Sequence, residues 1–182
     1  MIKLAERQRL GFIYEEEICN KYNLLKNSNY TAKWDAYYKN IPVSIKCEKF
    51  GSDIELADFF RQSSINEDFY LICGFHKDGA IVEEYILFIP FKEWHTYFNR
   101  GLDEKLKLLL KNITNSREDD EKWKRQIAIL KKEWQELTSN LIRLRFKRDH
   151  KTQKRIQCAI NNKDFYSWFL PKFEVNNFGG NN

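Results

Sequence analysis

The chain has 182 residues, a length typical of one domain with a sizeable hydrophobic core. Its 31 Lys and Arg residues outnumber its 26 Asp and Glu residues, and the resulting net charge of +5 permits nucleic-acid binding without establishing it. The aromatic content of 15% argues against a disordered chain. Charged residues interrupt the N-terminal segment, and no apolar run approaches the length of a membrane span. We therefore expect a soluble, cytoplasmic protein that does not bind membranes.

Several common site types are absent from the sequence. The four cysteines lie apart inside apolar runs: Cys19, Cys47, Cys73 and Cys158. Without closely spaced pairs they predict reduced core residues rather than a zinc site or a disulfide framework. The sequence also lacks a glycine-rich phosphate loop and a nucleophile elbow, which excludes the common nucleotide-dependent enzymes and serine hydrolases.

A helix is predicted near the N-terminus, where apolar residues from Leu4 to Leu25 recur at roughly helical spacing. Three consecutive glutamates, Glu15, Glu16 and Glu17, lie in the middle of this segment.

Two strand-like runs follow the helix, at 30–38 and 41–48, with Lys39 and Asn40 between them as a two-residue turn. Strand side chains alternate between faces, so Val43 and Ile45 share one face and Ser44 and Lys46 the other. We expect the side chains of Asp35 and Lys46 to meet across this hairpin. Such a pair can hold a divalent metal against a phosphate and stabilise charge that develops there, although an ordinary cross-strand ion pair is the simpler interpretation.

The first half of the chain resembles the restriction-endonuclease-like nucleases of the PD-(D/E)XK superfamily. In that family a glutamate on a helix precedes an Asp and then a (D/E)-x-K strand, which is the order of Glu15, Asp35 and Lys46 here. The segment 54–61 resembles the one that follows the catalytic lysine. The runs 69–75 and 84–89 resemble the third and fourth core strands, and 91–97 the segment after them.

This resemblance implies a role for each matching residue. Asp35 would be the principal metal ligand, Lys46 would orient water and stabilise charge, and Glu15, or Glu16 in its place, would be a further catalytic carboxylate at the metal. The main-chain carbonyl of Ile45 would also face the metal. The implied cofactor is Mg²⁺, for which Mn²⁺ is expected to substitute.

One position departs from the family pattern, because Ser44 stands where an Asp or Glu normally precedes the lysine by two residues. A carboxylate from a neighbouring segment can replace it, and Glu48, Glu55 and Asp58 are available. Glu55 or Asp58 is preferred, on a helix or loop returning over the sheet, and the sequence does not choose between them. Loss of the acid alternatively implies a non-catalytic protein.

Residues 101–140 predict two antiparallel helices, with apolar stripes from Leu102 to Ile113 and from Trp123 to Leu141. This helical hairpin could pack on the core, form a dimer interface or act as a clamp around DNA.

A second hairpin is predicted from alternating residues at 141–147 and 155–160. Its polar face and tip would enter the major groove of double-stranded DNA, or would form a solvated basic surface. The proposed DNA contacts, with Arg61 from the first half of the chain, are Arg61, Arg143, Arg145, Lys147, Lys151, Gln153, Lys154, Arg155 and Gln157.

Together these features predict an α/β fold, with a restriction-endonuclease-like core whose central mixed sheet is flanked by helices. The predicted units are the core (1–100), the helical hairpin (101–140), the basic hairpin with a tail helix (141–175) and a flexible tail (176–182). The expected function is a homodimeric type II restriction endonuclease that cuts at a short specific sequence. A structure-selective nuclease such as a Holliday-junction resolvase, or a non-catalytic DNA-binding subunit, is the alternative.

Overall fold

The structure, a computed structural model, describes residues 4–29, 32–98, 102–115, 120–138, 141–148 and 154–179. Its strands are β1 (Leu25–Lys26), β2 (Ala36–Tyr38), β3 (Ile41–Lys49), β4 (Ile54–Asp58), β5 (Phe69–Lys77), β6 (Ala80–Ile89), β7 (Ile142–Arg148) and β8 (Lys154–Ile160). Its helices are α1 (Leu4–Lys21), α2 (Phe59–Ser63), α3 (Phe91–Phe98), α4 (Asp103–Asn115), α5 (Asp120–Thr138), α6 (Asn162–Asp164) and α7 (Leu170–Phe173). A π-helical turn, Phe165–Phe169, separates the last two helices.

The larger sheet, sheet 1, has five strands in the order β1-β2-β3-β5-β6. Strands β3 and β5 are parallel, and the other neighbours are antiparallel. A parallel pair needs a crossover connection, which β4 and α2 supply. The structure therefore confirms the predicted α/β class and a mixed sheet flanked by helices.

The predicted first hairpin is present as β2 and β3. Lys39 and Asn40 have φ values of 46° and 71°, the left-handed conformation that a two-residue turn of type I′ requires at both positions. The first strand is shorter than predicted, since β2 begins at Ala36. Tyr30 and Thr31 lie outside the described residues.

Strand β4 is the main departure from the predicted topology. The sequence favoured a helix or loop returning over the first sheet, but β4 leaves sheet 1 and pairs antiparallel with β8. The second sheet, sheet 2, has the order β4-β8-β7, so the predicted basic hairpin, β7 and β8, gains β4 as a third strand beside β8. The buried side chains of Ile54 and Leu56 explain this position, because they join the same core as β7 and β8.

Two hydrophobic cores lie on opposite faces of sheet 1. The larger core lies between sheet 1, sheet 2 and helices α3 to α5. The smaller core lies under α1 and contains Tyr14, Ile18, Val43 and Ile45. The side chains of β3 alternate between the two faces of sheet 1. Val43 and Ile45 face α1, whereas Ser44, Lys46 and Glu48 face the side of sheet 2.

The predicted helical hairpin packs on the larger core rather than forming a core of its own. The buried residues that it contributes are Leu102, Leu106, Leu109, Ile127, Leu130, Trp134 and Leu141. Lys105 pairs with Glu133 at 3.0 Å and links the two helices. Leu137 is exposed, and the side chains of Ile113 and Trp123 lie outside the described part of the chain. None of the described helices is long and apolar enough to cross a membrane.

The C-terminal segment contacts sheet 1 through Phe178 and Gly179. The ring of Phe178 lies 4.6 Å from that of Tyr38 and 4.8 Å from that of Tyr70, measured between centroids. The main-chain N–H of Gly179 donates to the hydroxyl of Tyr70 at 3.0 Å. An aromatic side chain therefore fills the space beside β2 and β5, within the segment that the sequence predicts as a flexible tail. Residues 180–182 lie outside the described ranges.

The packing of α1 on sheet 1 can be tested at Gly74. A Cβ atom at this position would lie 2.3 Å from the buried ring of Tyr14, so we expect Gly74→Ala to lower the free energy of unfolding by about 1–3 kcal/mol. The control is Gly11→Ala in α1, where nothing lies within 4 Å of the new Cβ. That change should stabilise the helix by about 0.5–1 kcal/mol. Equal unfolding free energies for the two variants in denaturant titrations would contradict this packing.

Candidate active site

Asp35 is positioned by the residues that continue the hairpin beyond β2. Its main-chain N–H donates to the carbonyl of Val43 at 3.0 Å, and its own carbonyl accepts from Asn27 at 3.0 Å. These bonds extend the pairing of sheet 1 by one residue. The carboxylate of Asp35 consequently lies on the same face of the sheet as Ser44 and Lys46.

The predicted meeting of Asp35 and Lys46 is confirmed. The Nζ atom of Lys46 lies 3.4 Å from Oδ2 of Asp35 and donates to the carbonyl of Ile45 at 3.2 Å. The same Oδ2 accepts the main-chain N–H of Ile45 at 2.6 Å. The two side chains are 27% and 21% exposed, so both are fixed by the sheet and still reachable from solvent.

Ser44 contributes to this site rather than leaving a gap. Its side chain is buried, and its hydroxyl donates to Oδ2 of Asp35 at 3.3 Å. Asp35 thus receives donors from the hydroxyl of Ser44, the main chain of Ile45 and the ammonium of Lys46. Bonds to a charged carboxylate are the stronger kind of hydrogen bond, so they hold its orientation firmly.

The loop before Asp35 is held by two side chains that the sequence did not connect with it. The indole N–H of Trp34 donates to Glu67 at 2.9 Å, and its ring packs 5.1 Å from that of Phe69. The guanidinium of Arg61 donates to the carbonyl of Ala32. Arg61 was predicted to contact DNA, but in this structure it anchors the loop that carries Asp35.

The other predicted metal ligands have separate partners. Glu15 pairs with Lys26 at 3.3 Å, Asp58 accepts the main-chain N–H of Arg61 at 2.8 Å as the N-cap of α2, and Glu55 pairs with Arg145. Within the described residues, no three acidic, histidine or cysteine side chains form a group that could hold a metal. Asp35, Glu15, Glu55 and Asp58 are therefore not gathered around one point.

Glu48, the third candidate to replace the missing acid, is buried on the same face as Lys46. Its carboxylate accepts the main-chain N–H of Glu55 at 3.1 Å, which ties the end of β3 to the start of β4. On the neighbouring strand, burial strongly raises the pKa of the Cys73 thiol, an effect that the charge of Lys46 opposes and that of Glu48 reinforces. Lys46 and Glu48 thus place opposite charges over β5.

The oxygen atoms at Asp35 are of the kind that binds a hard cation. Magnesium prefers oxygen ligands and is usually bound through one or two carboxylates, with water and substrate phosphates completing its shell. The carboxylate of Asp35 and the carbonyl of Ile45, which are both in contact with Lys46, are oxygen donors of this kind. Because no group of three acidic, histidine or cysteine side chains lies among the described residues, a magnesium ion at these two oxygens would take the rest of its shell from water and a phosphate.

The polar face of sheet 2, called the basic face here, carries Arg143, Arg145, Lys147, Arg155 and Gln157. Two of its arginines have acidic partners. Arg143 lies 3.0 Å and Arg145 2.9 Å from the same oxygen of Asp53, and Arg145 also pairs with Glu55.

The rest of the basic face is described in part. Arg155 is exposed, and Gln157 is half-buried between Arg145 and Asp58 on the neighbouring strands. Lys151 and Gln153 lie outside the described residues, as does the side chain of Lys154. Sequence reasoning missed Asp53, because nothing local to that residue points to arginines about 90 positions away.

Comparisons of the chain with protein-family models, with curated proteins and with solved structures found no match in any of the three.

The anchoring of the Asp35 loop can be tested with Trp34→Phe. This change removes the bond to Glu67 and part of the buried ring, and we expect it to lower the free energy of unfolding by about 1–2 kcal/mol. Glu67→Gln is the matched control, since its amide oxygen can still accept the bond. Thermal unfolding should show a clear drop in Tm for Trp34→Phe and a smaller one for Glu67→Gln, and the reverse order would contradict the assignment.

Proposed function

We propose that this protein is a magnesium-dependent endonuclease that hydrolyses phosphodiester bonds in double-stranded DNA, built on a restriction-endonuclease-like core. The observation that carries the proposal is the contact between Lys46 and Asp35 on paired segments of sheet 1, beside the carbonyl of Ile45. The Ser44 hydroxyl and the bonded main chain hold this carboxylate in one orientation.

In the proposed reaction, water attacks phosphorus, the bond to one ester oxygen breaks, and a phosphomonoester and a hydroxyl group are released. Lys46 acts by donating from its ammonium group to a phosphate oxygen, where negative charge grows as the bond to water forms. Asp35 keeps Lys46 in place before the phosphate arrives, because the two groups are in contact in the free protein. This preorganisation avoids reorienting the lysine during the reaction.

The metal would be held by the carboxylate of Asp35 and the carbonyl of Ile45. When bound, magnesium supplies a positive charge at the phosphate and lowers the pKa of a bound water.

The proposed partner is duplex DNA bound by the basic face. Its cations would neutralise phosphates, and Arg155 and Gln157 are suited to guanine and adenine edges in the major groove. We propose the type II restriction reaction, in which each copy of a cytoplasmic homodimer cuts one strand. The exposed side chains of Leu108 on α4 and Ile129 on α5 are candidates for the dimer contact.

A second candidate is a non-catalytic DNA-binding protein, which is favoured by Ser44 at a position where the family carries an acid. A nuclease selective for branched DNA, such as a Holliday-junction resolvase, would use the same site and differ in its substrate. Incubation of linear and four-way DNA with magnesium or with chelator separates the three. Cleavage of linear DNA at a shared motif supports the proposal, preferential cleavage of the junction supports a resolvase, and no cleavage supports the non-catalytic protein.

The first functional prediction concerns Asp35 and Lys46. We expect Asp35→Asn and Lys46→Ala each to lower the cleavage rate by at least about 10²-fold, because each removes a group at the reacting phosphate. Duplex binding in chelator should stay close to that of the wild type. The control is Lys49→Ala, an exposed lysine on the same strand whose side chain points to the opposite face. Wild-type cleavage by either site variant in a gel assay would rule out this site.

The second prediction concerns Ser44 and does not depend on cleavage. Ser44→Asp would bury a second carboxylate beside Asp35, and repulsion between like charges should lower the Tm by about 2–8 °C in chelator. Magnesium should reverse most of this loss by binding the pair, whereas the exposed control Ser167→Asp should respond to neither condition. A magnesium response no larger than that of the wild type would contradict metal binding at Asp35.

A further inference from the structure

Asp53 lies in the turn before β4, and both of its carboxylate oxygens accept hydrogen bonds. Its side chain is only 10% exposed, and its Oδ1 accepts the main-chain N–H of Asn162 at 3.0 Å. The carbonyl of the preceding residue, Ser52, accepts from the side chain of Asn162 at 3.1 Å. The turn between β3 and β4 is thereby fixed to the start of α6, and the carboxylate cannot rotate without breaking these bonds.

The second oxygen of Asp53 holds two arginines at once. Arg143 and Arg145 approach Oδ2 at 3.0 and 2.9 Å, yet their side chains remain 45% and 41% exposed. Two guanidinium groups that share one oxygen repel each other and would separate if the carboxylate were removed. Because each guanidinium carries five N–H donors in a fixed fork, several of these donors stay available on the exposed side.

We propose that Asp53 is a positioning residue, which holds Arg143 and Arg145 side by side as a preformed site for the phosphate backbone of DNA. Glu55 supports the same arrangement by pairing with Arg145. The Asp53 side chain is 10% exposed and those of the two arginines are 45% and 41% exposed, so a phosphate can approach the guanidinium groups from solvent. This inference rests on the proposed DNA-binding function, but it does not depend on catalysis.

The direction in which DNA affinity changes in Asp53→Asn distinguishes a positioning role for Asp53 from a simple effect of its charge. Asp53→Asn makes the protein more positive by one unit, and if only net charge mattered, binding to DNA would become tighter and more sensitive to salt. If Asp53 positions the arginines, the same change weakens binding. The Asn amide can offer its oxygen to the Asn162 N–H or to the arginines, but not to both.

The test is anisotropy of a labelled 20-base-pair duplex with the full chain in chelator, over a series of salt concentrations. We expect Asp53→Asn to weaken binding about tenfold, and the slope of log K against log salt to fall by about 1–2, the loss of one or two phosphate contacts. Glu55→Gln should act in the same direction and more weakly. It also serves as the second variant if Asp53→Asn does not fold. The exposed control Glu136→Gln, on α5, should leave binding unchanged or slightly tighter.

Unchanged or tighter binding by folded Asp53→Asn, or by Glu55→Gln in its place, would overturn the positioning role. Arg145→Ala, measured in parallel, should weaken binding, and no effect of that change would overturn the phosphate site itself. The nuclease proposal stands or falls separately, on cleavage by the wild type and its loss in Asp35→Asn.

Discussion

Strand β3 lies between β2 and β5, and it presents apolar side chains to the smaller core and polar side chains to the opposite face of sheet 1. Val43 and Ile45 must face α1, because their burial supports the smaller core. That requirement directs Ser44 and Lys46 to the opposite face, where Asp35 meets them. A one-residue slip of this strand would exchange the two sets of side chains. The packing of α1 therefore determines where the proposed site lies.

The parts predicted correctly from sequence are those fixed by neighbours along the chain. The turn at Lys39 and Asn40 sets the register of β2 and β3, so the contact between Asp35 and Lys46 follows from local rules. The pairing of β4 with β8 joins segments about a hundred residues apart, and alternation alone does not say which partner a strand takes. The environments of Glu55, Asp53 and Arg61 depended on that pairing, or on loops brought together by it, and were missed for this reason.

The charges of sheet 2 are more balanced than the sequence suggests. A net charge of +5 and a row of alternating arginines indicate a strongly basic surface. Asp53 and Glu55 lie against two of those arginines in the fold. These acidic partners lower the net positive charge of the surface, while the side chains of Arg143 and Arg145 stay 45% and 41% exposed.

The same β4–β8 pairing has a consequence for synthesis on the ribosome. At about 5–20 residues per second, β8 emerges roughly 5–20 seconds after β4. During that interval β4 lacks its only described neighbour in sheet 2, and the apolar side chains of Ile54 and Leu56 have no sheet partner. An unpaired apolar strand is a template for pairing with other chains. A nascent or truncated chain that ends before residue 154 would therefore be prone to aggregation, even though every strand of sheet 1 is already complete.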